Sequence, residues 1–542
     1  MFKMSVFLSQ SPKNNDRPNI WSFFCILGLV SILSLIILNY GTVPAAPSDP
    51  LRYISPAINP NEPWVYWDRI ILWYHIRLIY FLWADPLVVG SLTSLSQLII
   101  TFILSLWWTR KRYGRLGMGL LWSLLIVSPA WIGPATYTYP TMGMTMWLVL
   151  ALFIADLTNS ESRKFFFLGL FTVPIVLSKI QGVFFLLYIA IQLLTSTNRL
   201  PKLGAAVIGM FSSAVALLSL LVIDPRIEIP ESLLYYLTSP ELAHQIKGRA
   251  QGGFPMFHIF LLEPSYFISV VGIISLFFST KAERWHPFAK VGLIQILGLF
   301  LIYLITARGG PPIANYILDF HHLGLICFCC FITSLFAKFS SSYLRISNVN
   351  YISLLIIPLI ILVIHAEVQL TEPTLYLGNL RNEIVNIIIM AMIGLIFISS
   401  VLFFIYSIVY RPNTWRKIGK ASGFLCVACL IVSSHKGMYE LIFRRAYNLE
   451  VHQIVKTILQ HPDSNILIAS KTYSGGERLR KKVIRTGRKI YDQRFDASNA
   501  TFKVDPATLE GYDLLIKNRS GTTEKSGVDR FVLLKLGTSD NE

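Results

Sequence analysis

The fold class this sequence predicts is a polytopic α-helical membrane protein of about 13 transmembrane helices, followed by a small extracytoplasmic α/β domain at the C-terminal end. Three observations predict it. Of the 542 residues, 54% are apolar and only 14% charged, with a mean hydropathy of +0.55, too apolar for an ordinary water-soluble globule. Apolar runs of roughly 18 to 25 residues recur along the chain, each long enough to cross a bilayer core of about 30 Å. Clusters of Lys and Arg punctuate alternate turns between those runs, as the positive-inside rule requires.

The first span runs from Asn19 to Leu38, preceded by Lys3, Lys13 and Arg17, which hold the N-terminus on the cytoplasmic side. Val43-Pro44-Ala45-Ala46 offers small residues near a cleavage position, but the apolar core is long for a signal peptide, so we read an uncleaved anchor. The first outer loop, 41–85, is aromatic; Ile70 to Trp83 carries His75 and Arg77 among its rings, which suits a helix lying at the interface. Span two (Pro86 to Trp108) stops at Arg110-Lys111-Arg112-Tyr113-Gly114-Arg115, span three (Leu116 to Ile132) returns outward, and span four (Met142 to Leu157) descends to Arg163-Lys164.

Phe165 to Leu194 holds a single charge, Lys179. A lysine in mid-bilayer costs about 2.5 to 3.5 kcal/mol even on lenient scales, so the run predicts two short helices, spans five and six, with Lys179 at their outer turn. Span seven (Leu203 to Ile223) leads to a long outer loop, 224–263. Spans eight (Tyr266 to Thr280) and nine (Val291 to Thr306) flank a basic turn. Span ten enters through Tyr316, Asp319, His321 and His322 and ends at Lys338; span eleven (Tyr351 to Ile364) reaches His365, Glu367 and Glu372. Spans twelve (Ile384 to Tyr410) and thirteen (Ser422 to Ser434) complete a membrane domain over 1–435 and deliver residues 436–542 outside.

Charge tests this threading. Cytoplasmic turns collect 20 Lys and Arg against 4 acids, while the outer loops hold 9 against 13. The net +18 that might suggest nucleic acid is therefore mainly a topology signal, and no nucleic-acid partner is expected. The six cysteines lie in apolar runs and form no disulfide framework, although Cys426-x-x-Cys429 has redox or metal spacing. In the tail, Glu440 to Leu459 has helical periodicity, and 465–469, 513–516 and 531–534 read as short buried strands. The intervening Lys471 to Arg494 carries nine Lys or Arg, either a solvated surface or an attraction to anionic headgroups or an acidic glycan.

The candidate chemistry gathers at the outer face. No phosphate-binding loop of soluble nucleotide enzymes and no His-Glu-x-x-His zinc motif is present. What remains is a carboxylate, Asp49, in Ser48-Asp49-Pro50-Leu51-Arg52-Tyr53, just beyond span one, and cations at other outer turns: Arg52, Arg69, Lys179 and Arg308. A carboxylate among cations at a membrane surface suits group transfer from a lipid phosphate, the carboxylate serving as general base and the cations stabilising the departing phosphate. Each residue has a plainer role open to it. Asp49 before Pro50 is also a good helix N-cap, Lys179 and Arg308 could simply end spans, and Arg52 and Arg69 could bind headgroups. His321 and His322 beside Asp319 could be a metal pair, but adjacent helical residues point about 100° apart.

One span, a long outer loop with Asp49-x-x-x-Tyr53, interfacial helices, about a dozen further spans and a soluble tail resemble the GT-C superfamily of glycosyltransferases, which use polyprenyl-phosphate-linked sugars. Within it the chain is most similar to the bacterial branch related to aminoarabinose and protein O-mannosyl transferases. Most of the chain shares the architecture, while the residue-level likeness lies in Asp49 to Tyr53 and in Lys179-x-Gln181-Gly182. The resemblance implies Asp49 as the catalytic carboxylate and Lys179 as a donor-phosphate contact; from their place at the outer face, Arg308 and Arg52 are read as further donor-phosphate contacts, and Tyr53, Asp68, Arg69, His321 and His322 as support. It implies a polyprenyl-phosphate sugar donor, a lipid, glycan or protein acceptor, contact with membrane lipids, and a place in the plasma (inner) membrane. The chain lacks the Trp-Trp-Asp-Tyr-Gly motif of oligosaccharyltransferase catalytic subunits and any outer-loop Asp-x-Asp, so no cofactor is assigned and a divalent cation stays open. Two rivals stand: an O-antigen-type polymerase or ligase centred on Arg226, His244, Arg249 and His258, and a transporter or flippase of lipid-linked glycans, against which the absence of internal repeats counts.

Overall fold

The computed structural model describes residues 20–41, 53, 54, 57, 69–84, 89–128, 131, 140–223, 264–277, 286–306, 314–339, 348–371, 392, 394–403, 425, 428–430, 466–470, 491–494, 514–518 and 531–535. Its helices are α1 (Ile20–Gly41), α2 (Ile70–Leu82), α3 (Val89–Val127), α4 (Pro140–Leu157), α5 (Glu161–Val176), α6 (Phe184–Leu194), α7 (Arg199–Ile223), α8 (Pro264–Phe277), α9 (His286–Thr306), α10 (Ala314–Phe339) and α11 (Asn348–Thr371). Four of them, α1, α3, α4 and α7, contain stretches long and apolar enough to cross a membrane. Spans twelve and thirteen fall mostly outside the described residues, which include helical 394–403 and 428–430.

The sequence separates spans two and three by a turn over 109–115; in the structure the two helical arms within Val89–Val127 meet at a reversal concentrated at Gly114. There φ is 67° and ψ −160°, a conformation essentially restricted to glycine. The rings of Phe102 and Trp131 lie 5.5 Å apart, although 29 residues of straight helix would separate them by about 44 Å. α3 is thus two arms folded back on each other.

Glycine also sets the helix crossings. Backbones approach where side chains vanish, which is how helices associate in lipid. At the α5–α7 crossing, a Cβ on Gly169 would strike the Ala206 carbonyl, and one on Gly209 would strike that of Phe166. At the α8–α10 crossing, a Cβ on Gly272 would stand 2.5 Å from the Gly324 carbonyl oxygen, and one on Gly324 would stand 2.5 Å from that of Ser269. In α11, Pro358 has no N–H to give the Leu354 carbonyl. The second arm of α3 reaches this stretch: Ser123 Oγ stands 2.9 Å from both Leu354 O and Gly119 O, which share its one proton, and Trp122 Nε1 donates to Leu355 O at 2.8 Å. α11 extends to Thr371, so His365 and Glu367 stand inside the helix rather than beyond it, because backbone hydrogen bonding continues past the end of the apolar run.

In the tail, β1 (Ile466–Ser470), β2 (Tyr491–Arg494), β3 (Leu514–Asn518) and β4 (Phe531–Lys535) form one sheet in the order β2-β1-β3-β4. β1 pairs in parallel with β2 and β3, and β3 pairs antiparallel with β4. Parallel pairing requires crossover connections, and the connecting residues, with the helix expected over 440–459, lie outside the described set. β2 falls at the end of the basic stretch that the sequence reading left without a strand. It is an edge strand with one neighbour, Leu467 facing Tyr491, and so needs no apolar run.

Candidate active site

Lys179 stands where the sequence puts it, at the break between α5 and α6. The Leu177 and Ser178 N–H groups still bond to Val173 O and Pro174 O, Lys179 turns extended at φ −164°, and a 3₁₀ turn, Ile180–Val183, redirects the chain. Gly182 packs on the Ile175 carbonyl with no room for a Cβ, which makes the reversal tight. The lysine is only 4% exposed, and its Nζ donates to Thr141 Oγ1 at 2.6 Å, at the start of α4.

A second buried ionisable group lies within electrostatic range of Lys179. Asp319, on α10, is 2% exposed, and the charge of Lys179 acts on its carboxyl. Its Oδ1 finds no hydrogen-bond partner, and neither does Oε1 of buried Gln181, two residues from Lys179. Buried polar atoms without partners are costly and uncommon, so each of these is an atom that a ligand can satisfy. Gln97 adds another from α3: its Nε2 donates to His75 Nδ1 at 3.1 Å, its Oε1 has no partner, and its amide abuts Gly143, two residues from Thr141.

The first outer loop reaches this region through its apolar residues. Tyr53, Ile54 and Ala57 are buried in a cluster with Ile70, Leu72, Trp73 and Ile76 of α2, and Leu177 packs against that cluster. Arg69 lies over the Tyr53 ring at 4.8 Å, and the Ile71 N–H bonds to Leu177 O at 3.4 Å. Tyr53 and Arg69 are therefore brought to the Lys179 turn. Asp49, Arg52, Asp68 and Arg308 lie outside the described residues, as do Arg226, His244, Arg249 and His258.

His321 and His322 are buried and spoken for. His321 Nδ1 meets Ser269 Oγ at 2.6 Å and its Nε2 meets Ser128 Oγ at 2.6 Å; His322 Nε2 meets Ser105 Oγ at 2.7 Å. The Ser269 hydroxyl also lies within reach of Ser265 O, and that of Ser105 within reach of Thr101 O. In each contact either the ring or the hydroxyl can give the proton, so the tautomers of His321 and His322 follow from the network as a whole. Being adjacent on α10, the two rings point apart and clasp the two arms of α3, His322 the first through Ser105 and His321 the end of the second through Ser128. Among the described residues no group of three or more His, Cys, Asp or Glu could hold a metal ion. The pair thus braces the helix that carries Asp319.

Sequence reasoning named Asp319 only as a neighbour of the histidines and missed Thr141, Gln97, Ser105, Ser128 and Ser269. Part of this was readable: Gln97, Thr101, Ser105 and Thr109 recur four apart in an apolar run, which is one face of a helix, and all four are buried.

No family model matches the sequence, and no match is found among curated proteins. Two solved structures do match. One, of ArnT from Cupriavidus metallidurans bound to undecaprenyl phosphate, is 14% identical, with 91% of this chain and 93% of that chain covered at a TM-score of 0.51. The other, of the same ArnT in the apo state, is 13% identical, with 92% and 93% covered at a TM-score of 0.52. At such identity the likeness is one of fold, and it spans nearly the whole chain: this protein has the fold of ArnT.

Proposed function

We propose that the chain is a GT-C-type membrane glycosyltransferase, which moves a sugar from a polyprenyl-phosphate-linked donor to a lipid, glycan or protein acceptor on the extracytoplasmic face of the plasma (inner) membrane. The observation that carries the reading is the buried Lys179, set beside Asp319 and partnerless amide oxygens at a helix break, in a chain whose fold matches an ArnT bound to undecaprenyl phosphate.

In this reading the Lys179 ammonium, with Arg308 and Arg52, receives the donor's phosphate. Acceptor oxygen or nitrogen attacks the anomeric carbon, the bond from that carbon to the phosphate oxygen breaks, and polyprenyl phosphate leaves with the bonding pair. Asp49 takes the acceptor's proton. The cations offset the charge that develops on the leaving phosphate, a stabilisation worth most where water is excluded. Asp49 is four residues before Tyr53, a tether of at most about 14 Å, and Tyr53 is packed into the cluster that touches Leu177, two residues before Lys179. Arg69 supports the same loop by lying over the Tyr53 ring. His321 and His322 act at one remove, by holding α10.

Sugar transfer from a mixture of polyprenyl-phosphate sugars, measured in membranes with equal amounts of native chain and Asp49→Asn, tests the reading. The native membranes should transfer, and the variant should lose at least about a hundredfold, the lower range for removing a general base. Equal activity removes Asp49 from the chemistry and favours the ligase reading on loop 224–263. Transfer by neither, with lipid-linked glycan accumulating on one leaflet in a deletion strain, favours a transporter.

A further inference from the structure

Of the polar side chains on α2, His75 has no part in the transfer chemistry, yet both of its ring nitrogens are engaged by α3. Nδ1 accepts from Gln97 Nε2 at 3.1 Å, and Nε2 stands 3.0 Å from Ser96 Oγ. Burial pushes the ring's pKa down to about 4, so it is neutral at pH 7 and able to accept at Nδ1. The inner face of α2 otherwise offers Ile70, Leu72, Trp73 and Ile76, packed in an apolar cluster. Apolar contact is non-directional, and on its own would let a short helix roll or slide. Two hydrogen-bonding contacts with consecutive residues of α3 fix both the rotation of α2 and its register.

α2 in turn carries part of the site. Arg69, at its N-terminal cap, lies over the Tyr53 ring at 4.8 Å, and Tyr53, Ile54 and Ala57 pack into the same apolar cluster. The Lys179 turn has supports of its own: backbone bonds into α5, the close packing of Gly182 on Ile175 O, and Thr141 against Nζ. A change in the seating of α2 therefore moves the Tyr53 side of the site and spares the Lys179 side. We propose that His75 is a positioning residue for sugar transfer: by clasping Ser96 and Gln97 it seats α2, and through α2 it holds Tyr53 and the loop that supplies Asp49. The inference rests on the transferase reading, in which Asp49 must meet a donor held at Lys179. Misplacement by about 1 Å, even from a residue remote from the chemistry, can cost about a hundredfold in rate.

The test is a titration of the polyprenyl-phosphate sugar mixture in membranes holding equal amounts of folded full-length chain, which yields kcat and KM from one assay. His75→Leu, which removes both contacts with α3, should lower kcat at least about tenfold and leave KM within about twofold. A residue that served the donor directly, or merely held the fold together, would not divide the two constants in this way. Should His75→Leu not accumulate as a folded species, Ser96→Ala, which withdraws one contact from the α3 side, should lower kcat about threefold at the same KM. An unchanged kcat in the variant overturns the proposal, and so does a KM that rises as much as kcat falls; in both cases the native chain still transfers and the transferase reading stands. A native chain that transfers no sugar removes that reading, and the proposal with it.

Discussion

At the α5–α7 crossing, Gly169 and Gly209 let two backbones touch, and what meets there is apolar; at the α8–α10 crossing, Gly272 and Gly324 do the same, and what meets there is Ser269 and His321. The close approach is common to both, but its use differs. α5 carries no partner-seeking group at its crossing and serves as the stem on which the Lys179 turn is mounted. α8 delivers a hydroxyl to a buried imidazole, and through it fixes α10, the helix that carries Asp319. Small residues thus supply adhesion in one place and the placement of polar groups in the other.

The largest effect should come from breaking either crossing. Gly209→Leu or Gly272→Leu sets side-chain atoms against main chain, which cannot yield as a side chain can, and should exceed the roughly 1 to 3 kcal/mol of ordinary overpacking. Loss of the monodisperse peak in detergent size-exclusion chromatography would show it, and a normal peak for either variant would mean the contact is not structural. Next, Lys179→Met should leave a folded protein with sugar transfer reduced at least about a hundredfold, the scale for removing one buried donor from a developing anion. Folded protein with full transfer would detach the turn from the chemistry. Asp319→Asn keeps the shape and removes the charge; transfer should fall about tenfold, equivalent to roughly 1.4 kcal/mol, while the melting temperature hardly moves.

The crossings themselves should then part. His321→Leu removes the ring's two side-chain hydrogen bonds, to Ser128 and Ser269, and thermal unfolding should register a loss of about 1 to 3 kcal/mol with transfer per folded molecule preserved. A large drop in turnover at unchanged stability would instead give the ring a direct part in the reaction. Smallest of all is Thr172→Val on α5, whose hydroxyl only returns to Leu168 O within its own helix; stability should change by less than about 0.5 kcal/mol.

Much of this was legible in the sequence, and the reason is physical. Lipid permits few places for a charge, so a lone Lys179 in thirty apolar residues had to mark a reversal, and it does. Gly114 in a basic run marked another. Illegible were the partners of the histidines, because Ser105, Ser128 and Ser269 are distant in sequence and become neighbours only after α3 doubles back and α8 closes on α10. β2 was hidden for the opposite reason: an edge strand with one ladder can be polar throughout. Of the site residues read from the sequence, Tyr53, Arg69, Lys179, His321 and His322 fall within the described structure.

The reversal at Gly114 also bears on how the protein is made. With the whole turn confined to one left-handed residue, the arms of α3 have no connecting loop in which the nascent chain could pause between them. The two spans should enter the bilayer together as a ready-made hairpin, anchored by Arg110, Lys111, Arg112 and Arg115 as they leave the ribosome. Any residue other than glycine at 114 would then be felt first in biogenesis, as a chain inserted with its later spans the wrong way round.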